Sequence, residues 1–306
     1  MDFNGIFPPI ATPFHGDDLD LRGLTANVQR WARAGLRGML VLGSNGEGPC
    51  VDGDEAERVI ATVRQDLPRD QVLMVGTGQP STRVTIAATR VAARAGADVA
   101  LVLTPFYFKS QMTGEALARH YTELADASPI PIIMYNMPPV TGVTIPVPIV
   151  LRLAAHPNII GIKDSSGDMA YVGDLCAQTS RPFQVLVGVA PTLYPALCVG
   201  VQGGIVAVSN VFPELCVRLF TLFRAGQHAE ALEIQRAITP LARAVTATYG
   251  VSGLKFALDV AGYVGGPPRL PLLPLGPAQQ QDVRQLVERL QAWESSNASA
   301  LKPQLA

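Results

Sequence analysis

Short, nearly uninterrupted apolar runs alternate along this chain with stretches in which apolar residues return every three or four positions. The runs at 5–12, 38–42, 72–75, 98–103, 131–135, 159–163, 184–187 and 204–208 are rich in Val, Ile, Leu and Met and predict strands buried on both faces. The stretches at 21–34, 54–66, 81–95, 113–127, 146–155 and 168–178 carry the helical period, and 136–142 is a Pro-rich loop. Each strand is followed by a helix, at intervals of roughly 25–35 residues, which predicts a parallel sheet. Eight such units predict a closed α/β barrel, the (β/α)8 TIM barrel, rather than an open doubly wound sheet. No strand runs into GxGxxG, because Gly76-Thr77-Gly78 continues into Gln79-Pro80, so no dinucleotide site is expected.

Past residue 213 the pattern is helical only, over 214–224, 228–249, 254–261 and 278–293, with a proline-rich connector at 265–277. The expected organisation is a barrel carrying the site over 1–226 and a C-terminal helical extension over 227–306. The small, polar tail at 295–306 should fray.

Composition narrows the functional classes. Hydrophobic residues make up 48% of 306 and charged residues 16%, enough for a large core. A formal net charge of −1 offers no basic field for nucleic acid or an anionic membrane. No apolar run reaches the ~18 residues of a membrane span, and MDFNGIFPPI does not read as a signal segment. Cys50, Cys176, Cys198 and Cys216 lack CxxC spacing, and the last three lie in apolar segments, which predicts core thiols and a reducing, cytoplasmic setting. The four histidines form no HxH or HExxH pair, so no protein-bound metal is expected.

The candidate chemistry centres on HPNIIGIKDSSGD at 156–168, a β-branched run that ends in Lys163. Burial disfavours an ammonium. One outcome is a packed stem whose amine reaches water or Asp164. The barrel suggests another, because barrel active sites lie at the carboxyl ends of the strands. Tyr135 ends the preceding strand, Tyr107 lies just past another, and Ser44-Asn45 just past the second. Singly these are a rim tyrosine, a member of an aromatic cluster with Phe106 and Phe108, and a tight turn. Together at one barrel mouth they specify a reaction. A neutral amine adds to a ketone, and the protonated imine accepts the electrons released as a neighbouring C–C or C–O bond breaks. A tyrosine hydroxyl carries the proton. The N–H groups of a glycine-rich loop, with a serine hydroxyl, form a nest for a keto-acid carboxylate.

GIFPPIATPF at 5–14, GSNGE at 43–47, TPFY at 104–107, YNMP at 135–138, GIKD at 161–164 and GGPPRLPL at 265–272 together resemble the dihydrodipicolinate synthase / N-acetylneuraminate lyase family of class I pyruvate aldolases. The resemblance runs from residue 5 to about 275. It implies that Lys163 is the Schiff-base lysine and Tyr135 the proton-transfer residue, with Ser44, Asn45 and Gly46 at the pyruvyl carboxylate. It implies a hydroxyl relay of Tyr107 with Ser44 and Tyr135, the Tyr107 position coming from the adjacent subunit in some members, and places Gly188 and Ile205 at the pyruvyl pocket. It further implies a small-molecule 2-keto acid substrate, no cofactor, and a homotetramer built as a dimer of dimers.

Within the family, GSNGE differs from the GTTGE typical of dihydrodipicolinate synthases. Val140 stands where those synthases place an arginine, just before Thr141. The 156–168 segment, the GSNGE loop and AVTATYGVSGLK at 244–255 resemble 4-hydroxy-2-oxoglutarate aldolases instead. The expected activity is cleavage of a 4-hydroxy-2-keto acid to pyruvate and an aldehyde such as glyoxylate, with Ser165 or Asn45 holding the distal polar group. A 2-keto-3-deoxy sugar-acid aldolase or dehydratase and a dihydrodipicolinate synthase are the alternatives. A non-catalytic barrel that binds keto acids is the reading of a different class, and it needs neither nucleophile nor relay.

Overall fold

In the computed structural model, which describes residues 1–180 and 182–297, the apolar runs become eight parallel strands. They are β1 (Gly5–Phe7), β2 (Gly38–Val41), β3 (Val72–Gly76), β4 (Val99–Leu103), β5 (Ile132–Asn136), β6 (Ile159–Asp164), β7 (Gln184–Val187) and β8 (Gly203–Ile205). The ladder runs β1–β8–β7–β6–β5–β4–β3–β2. It closes where Leu40 donates its N–H to the Pro8 carbonyl at 2.9 Å and accepts from Ile10 at 2.8 Å. The sheet is therefore the expected barrel.

The first strand, expected over 5–12, stops at Phe7 because Pro8 and Pro9 have no N–H to extend the ladder. The last, expected over 204–208, gives way after Ile205 to a turn at Ala207–Asn210. A small antiparallel hairpin, Phe14–His15 with Asp18–Leu19, follows β1 and was not legible in the pattern.

Alternation along each strand divides the core in two. Phe7, Leu40, Met74, Leu101, Ile133, Leu186 and Ile205 fill the barrel interior. Met39, Val41, Leu73, Val75, Val102, Met134 and Val187 join the layer between strands and helices. That outer layer is packed by α1 (Leu21–Trp31), α2 (Gly53–Asp66), α3 (Thr82–Arg94), α4 (Gly114–Ala127), α5 (Val147–Ala154), α6 (Met169–Gln178), α7 (Leu193–Val199) and α8 (Pro213–Arg224). Helix starts follow local chemistry: Asp52 accepts from Glu55 N, and the Glu55 side chain accepts from Asp52 N, a reciprocal cap on α2.

The outer hydrophobic layer continues without a break into α9 (His228–Arg243), α10 (Gly250–Val260) and α11 (Pro277–Asn297). The single helix expected over 228–249 is divided. Pro240 removes one backbone donor from α9, a wide turn occupies Ala244–Thr248, and Gly250 at φ +55° begins α10 four residues earlier than the pattern suggested. Residues 295–297 of the expected frayed tail are the last turn of α11, and 298–306 lie outside the described residues. Of the three thiols expected in the core, Cys216 is buried, Cys176 half-buried and Cys198 exposed, because Cys198 falls on the solvent side of α7. Among the described residues no helix is long and apolar enough to cross a membrane.

His120 on α4 is buried against α3, with Nδ1 2.9 Å from Thr82 Oγ1 and no partner for Nε2. Burial pushes its pKa from about 6.5 down to about 4. Below about 6.5 the unfolded chain takes up a proton that the folded one refuses, so stability falls as pH drops through that window. The loss should approach ~3 kcal/mol near pH 4. His120→Asn, which can keep the bond to Thr82, should flatten this part of the pH profile in denaturant titrations; an unchanged profile would assign the acid sensitivity elsewhere.

Candidate active site

The inward parity of the strands brings Tyr135 and Lys163 to one level. Tyr135 pairs in register with Leu103 on one side and Lys163 on the other, and Lys163 pairs with Leu186. Ile205, beside Phe7 in register, is buried in the same interior cluster. Lys163 is the penultimate residue of β6 and only 4% exposed. Its Nζ lies 4.1 Å from the centre of the Tyr135 ring. It forms no ion pair among the described residues.

Asp164, one position on, faces the other side of the sheet. It accepts from Asn136 Nδ2 at 2.7 Å, from Ser166 N at 3.1 Å and from Ser166 Oγ at 2.7 Å. Its burial raises its pKa, against the lowering effect of those bonds. The adjacent carboxylate is engaged behind the strand, so Lys163 does not pair with Asp164.

Gly188 explains how the lysine fits. It follows β7, and a Cβ there would stand 2.0 Å from Ser165 Oγ and 2.7 Å from Lys163 Cε. Ser165 is buried, and its Oγ donates to Tyr135 Oη over a long 3.5 Å. Tyr135 Oη in turn donates to Met137 Sδ at 3.2 Å. A thioether cannot pass a proton on, so this bond parks the hydroxyl rather than extending a relay.

The glycine loop sits above this layer. Ser44–Gly46 is one tight helical turn flanked by Leu42 and Glu47, both non-glycine residues at positive φ of 55° and 53°. Gly46, Glu47 and Gly48 donate backbone N–H within the loop, whereas the N–H groups of Ser44 and Asn45 meet no acceptor among the described residues. Gly46 lies against the segment that follows β1, where a Cβ would come 2.9 Å from the Ile10 carbonyl, and its own carbonyl accepts from Thr12 Oγ1 at 2.7 Å. A cleft of about 290 Å³ opens between the loop and the barrel, lined by Gly43, Ser44, Gly78, Leu103, Phe106 and Tyr135 among others. It has the size for a small keto acid, and it takes in Ser44 and Tyr135 but not Lys163, Asn45, Gly188 or Ile205.

Tyr107 is not brought to this site within one chain. It is 74% exposed, its ring meets that of Phe108 edge-on at 5.0 Å between centres, and among the described residues it bonds to neither Ser44 nor Tyr135. The segment after β4 runs outward, leaving Phe106 and Phe108 exposed as well. The expected relay is thus not assembled by one chain. Ser44 is also exposed, and Asn45 half-buried.

Three features escaped the reading of the sequence. The Asn136–Asp164 pair ties β5 to β6 behind the lysine, and Asn136 Oδ1 also accepts from Ile145 N at 3.0 Å, anchoring the 137–145 segment. Met137 holds the tyrosine hydroxyl. Glu47, beneath the glycine loop, pairs with Lys255 of the C-terminal extension. Their only signal was polar residues inside the quoted motifs YNMP, GIKD and GSNGE. Among the described residues no three His, Cys, Asp or Glu side chains come together as a metal site would require.

Comparison with known proteins agrees with this architecture. Residues 2–290 match the model of the dihydrodipicolinate synthetase family. The chain is 36% identical to a 4-hydroxy-tetrahydrodipicolinate synthase of Methanoculleus marisnigri, over 93% of this chain and 98% of that one. It is 34% identical to the synthase of the same name from Methanospirillum hungatei, over 95% and 100%. Among solved structures, a dihydrodipicolinate synthase from Thermotoga maritima superposes with a TM-score of 0.92 at 29% identity, covering 95% of this chain and 99% of that one.

The crowding at Gly188 sets a sharp test. Gly188→Ala should push Ser165 and the Lys163 stem out of place, costing about 1–3 kcal/mol of stability and abolishing borohydride trapping of a keto acid on Lys163. Denaturant unfolding and intact-mass measurement follow the two effects. Full trapping by a stable variant would show that the lysine does not need this space.

Proposed function

The chain belongs to the dihydrodipicolinate synthetase family, and on that premise we propose that it forms an imine between pyruvate and Lys163 and makes or breaks a carbon–carbon bond at the neighbouring carbon. It is a class I, pyruvate-dependent enzyme of the aldolase and lyase type. The observation that carries the assignment of Lys163 is a buried amine with no counter-charge, 4.1 Å from the Tyr135 ring.

In the cleavage direction, Lys163 Nζ adds to C2 of a 4-hydroxy-2-keto acid and water leaves, giving the protonated imine. The C3–C4 bond then breaks, its electrons pass into the imine to form an enamine, and the C4 hydroxyl gives up its proton as the aldehyde forms. Tyr135 relays that proton once its hydroxyl turns from Met137 to the substrate: its oxygen accepts the C4 hydroxyl proton as its own O–H proton passes to solvent water, with Ser165 as its neighbour in the chain of hydroxyls. Reprotonation of the enamine carbon and hydrolysis release pyruvate. The N–H groups of Ser44 and Asn45 hold the pyruvyl carboxylate, Gly188 leaves room for the lysine, and Ile205 forms the apolar floor.

Two readings of the second substrate each rest on an observation. The relatives' name favours the synthase reaction, condensation of pyruvate with aspartate semialdehyde, over cleavage of 4-hydroxy-2-oxoglutarate. Val140 favours cleavage: it is 59% exposed on the single turn Pro138–Thr141 and offers no guanidinium for a second carboxylate. The cation beside this turn is Lys109, whose Nζ lies 3.8 Å from where a Cβ on Gly142 would stand. It gives either second substrate an ammonium to meet. The exposed Phe106, Tyr107 and Phe108 support pairing of chains, with Tyr107 of the partner subunit completing the relay, and a homotetramer built from such dimers. Four free cysteines support a cytoplasmic setting.

Borohydride reduction in the presence of pyruvate should place the adduct on Lys163 by peptide mapping. An adduct on Lys109 or Lys255, or none, would overturn the assignment. Tyr135→Phe should lower turnover about 10²–10⁴-fold with little change in pyruvate binding, as expected for loss of a proton carrier. A near-normal rate would remove Tyr135 from the mechanism.

Side-by-side assays separate the two second substrates. Val140→Arg should raise condensation with aspartate semialdehyde relative to the unmodified enzyme, and Lys109→Met should weaken both reactions through the second substrate's KM. Efficient condensation by the unmodified enzyme, insensitive to Val140→Arg, would establish the synthase reading.

A further inference from the structure

Lys255 lies on α10, at 0% exposure, far from the imine chemistry in sequence and in role. Its Nζ donates to Glu47 Oε1 and, at 2.8 Å, to the Pro267 carbonyl, and stands 4.3 Å from the Phe14 ring. Glu47 Oε2 accepts from Arg269 N at 2.8 Å. Both side chains of the pair are closed to solvent, at 1% and 0% exposure. Burial alone drives the Lys255 ammonium toward neutrality, and Glu47 opposes that drive. An ion pair this deep is seldom a net gain in stability over apolar packing, so it calls for another explanation.

The backbone supplies one. Glu47 is the last residue of GSNGE and holds φ at +53°, a region non-glycine residues leave unless their surroundings over-determine it. Leu42 mirrors it at the other end of the loop, at φ +55°. Gly48 closes the loop tightly against its start, since a Cβ there would come 2.2 Å from the Leu42 carbonyl. The side chain of Glu47 is clamped by two groups of the C-terminal segment, while its backbone sets the turn that leaves the Ser44 and Asn45 N–H groups uncommitted.

We propose that Glu47 and Lys255 are positioning residues: their buried pair lets the C-terminal segment fix the glycine loop in the strained form that receives the substrate carboxylate. The proposal rests on the reading that this loop binds the pyruvyl carboxylate. It assigns to the helical extension a part in substrate selection, through a contact between residues 208 positions apart. Neither residue touches the reacting atoms, so the effect is on carboxylate affinity and not on the chemistry of the imine.

The test compares two ketones on the full-length enzyme: pyruvate, and acetone, which has the ketone but no carboxylate. Imine formation is trapped with borohydride and read by intact mass as a function of ketone concentration. The double variant Glu47→Gln/Lys255→Met removes both charges and leaves neither buried alone. It should raise the half-saturating pyruvate concentration by about tenfold or more, the loss expected when charge-assisted bonds are misaligned, with the same maximal adduct on Lys163 and an unchanged acetone curve. Equal weakening of both ketones, or an unchanged pyruvate curve, overturns the proposal. If the double variant fails to fold by circular dichroism, Glu47→Gln alone decides, since its amide can keep the bond from Arg269 N. Loss of fold in both assigns the pair to barrel stability and overturns the proposal. Trapping of acetone but not pyruvate by the unmodified enzyme overturns the carboxylate reading and the proposal together, whereas normal trapping by enzyme and variant alike removes only the proposal.

Discussion

A primary amine held inside an apolar barrel without a counter-charge is the constraint on which the rest of the site depends. The strand parity enforces it. Lys163 and Asp164 are neighbours in sequence, yet alternation sends the amine into the barrel and the carboxylate to the helix side. A slip of one residue would exchange them and replace the inward amine by a buried acid. The Asn136–Asp164 bond at 2.7 Å pins the register between β5 and β6 at the level where Tyr135 and Lys163 must meet. The carboxylate that could have neutralised the lysine thus holds it in place instead.

The two buried lysines show how the same physics serves opposite ends. Lys163 and Lys255 are 4% and 0% exposed. Lys255 is given a carboxylate, a carbonyl and an aromatic face, and is fixed as a structural cation. Lys163 is given an aromatic ring and open space beside Gly188. Burial drives the Lys255 ammonium toward neutrality and Glu47 opposes that drive, whereas Lys163 has no ion-pair partner among the described residues. Burial therefore does not by itself identify a reactive lysine; the missing partner does.

The barrel and its central lysine were legible because both are written locally. An apolar run that ends in a lysine needs no tertiary information, and eight repeats of one strand–helix unit leave few topologies. What was not legible involves groups distant in sequence or backbone chemistry that cuts across the pattern. Pro8 and Pro9 shorten a strand that hydrophobicity alone extends to residue 12. The wide turn at Ala244–Thr248 divides a helix whose apolar period is continuous. Glu47 and Lys255 each close a segment singled out in the sequence, GSNGE and AVTATYGVSGLK, but they meet only through the fold. Tyr107 was placed at the mouth by its position after β4, but the chain turns it to solvent. Cys198, in an apolar helix, faces out because periodicity, not composition, decides which side of a helix is buried.

The same geometry separates the two halves of the chemistry. Groups proposed to form the imine belong to the strands and to residues locked directly behind them, where a change of one methyl is felt, as the 2.0 Å approach at Gly188 shows. Groups that would meet the second substrate lie on the segments 106–109 and 137–142, where Val140 and Tyr107 are exposed and free to change without disturbing the core. Relatives sharing about a third of their residues with this chain, and one name among themselves, can therefore keep the first half intact while the rim diverges. On the proposed function, the imine chemistry belongs to the interior and the choice of second substrate to the rim, where this chain carries a valine on a single turn and a lysine lying against it.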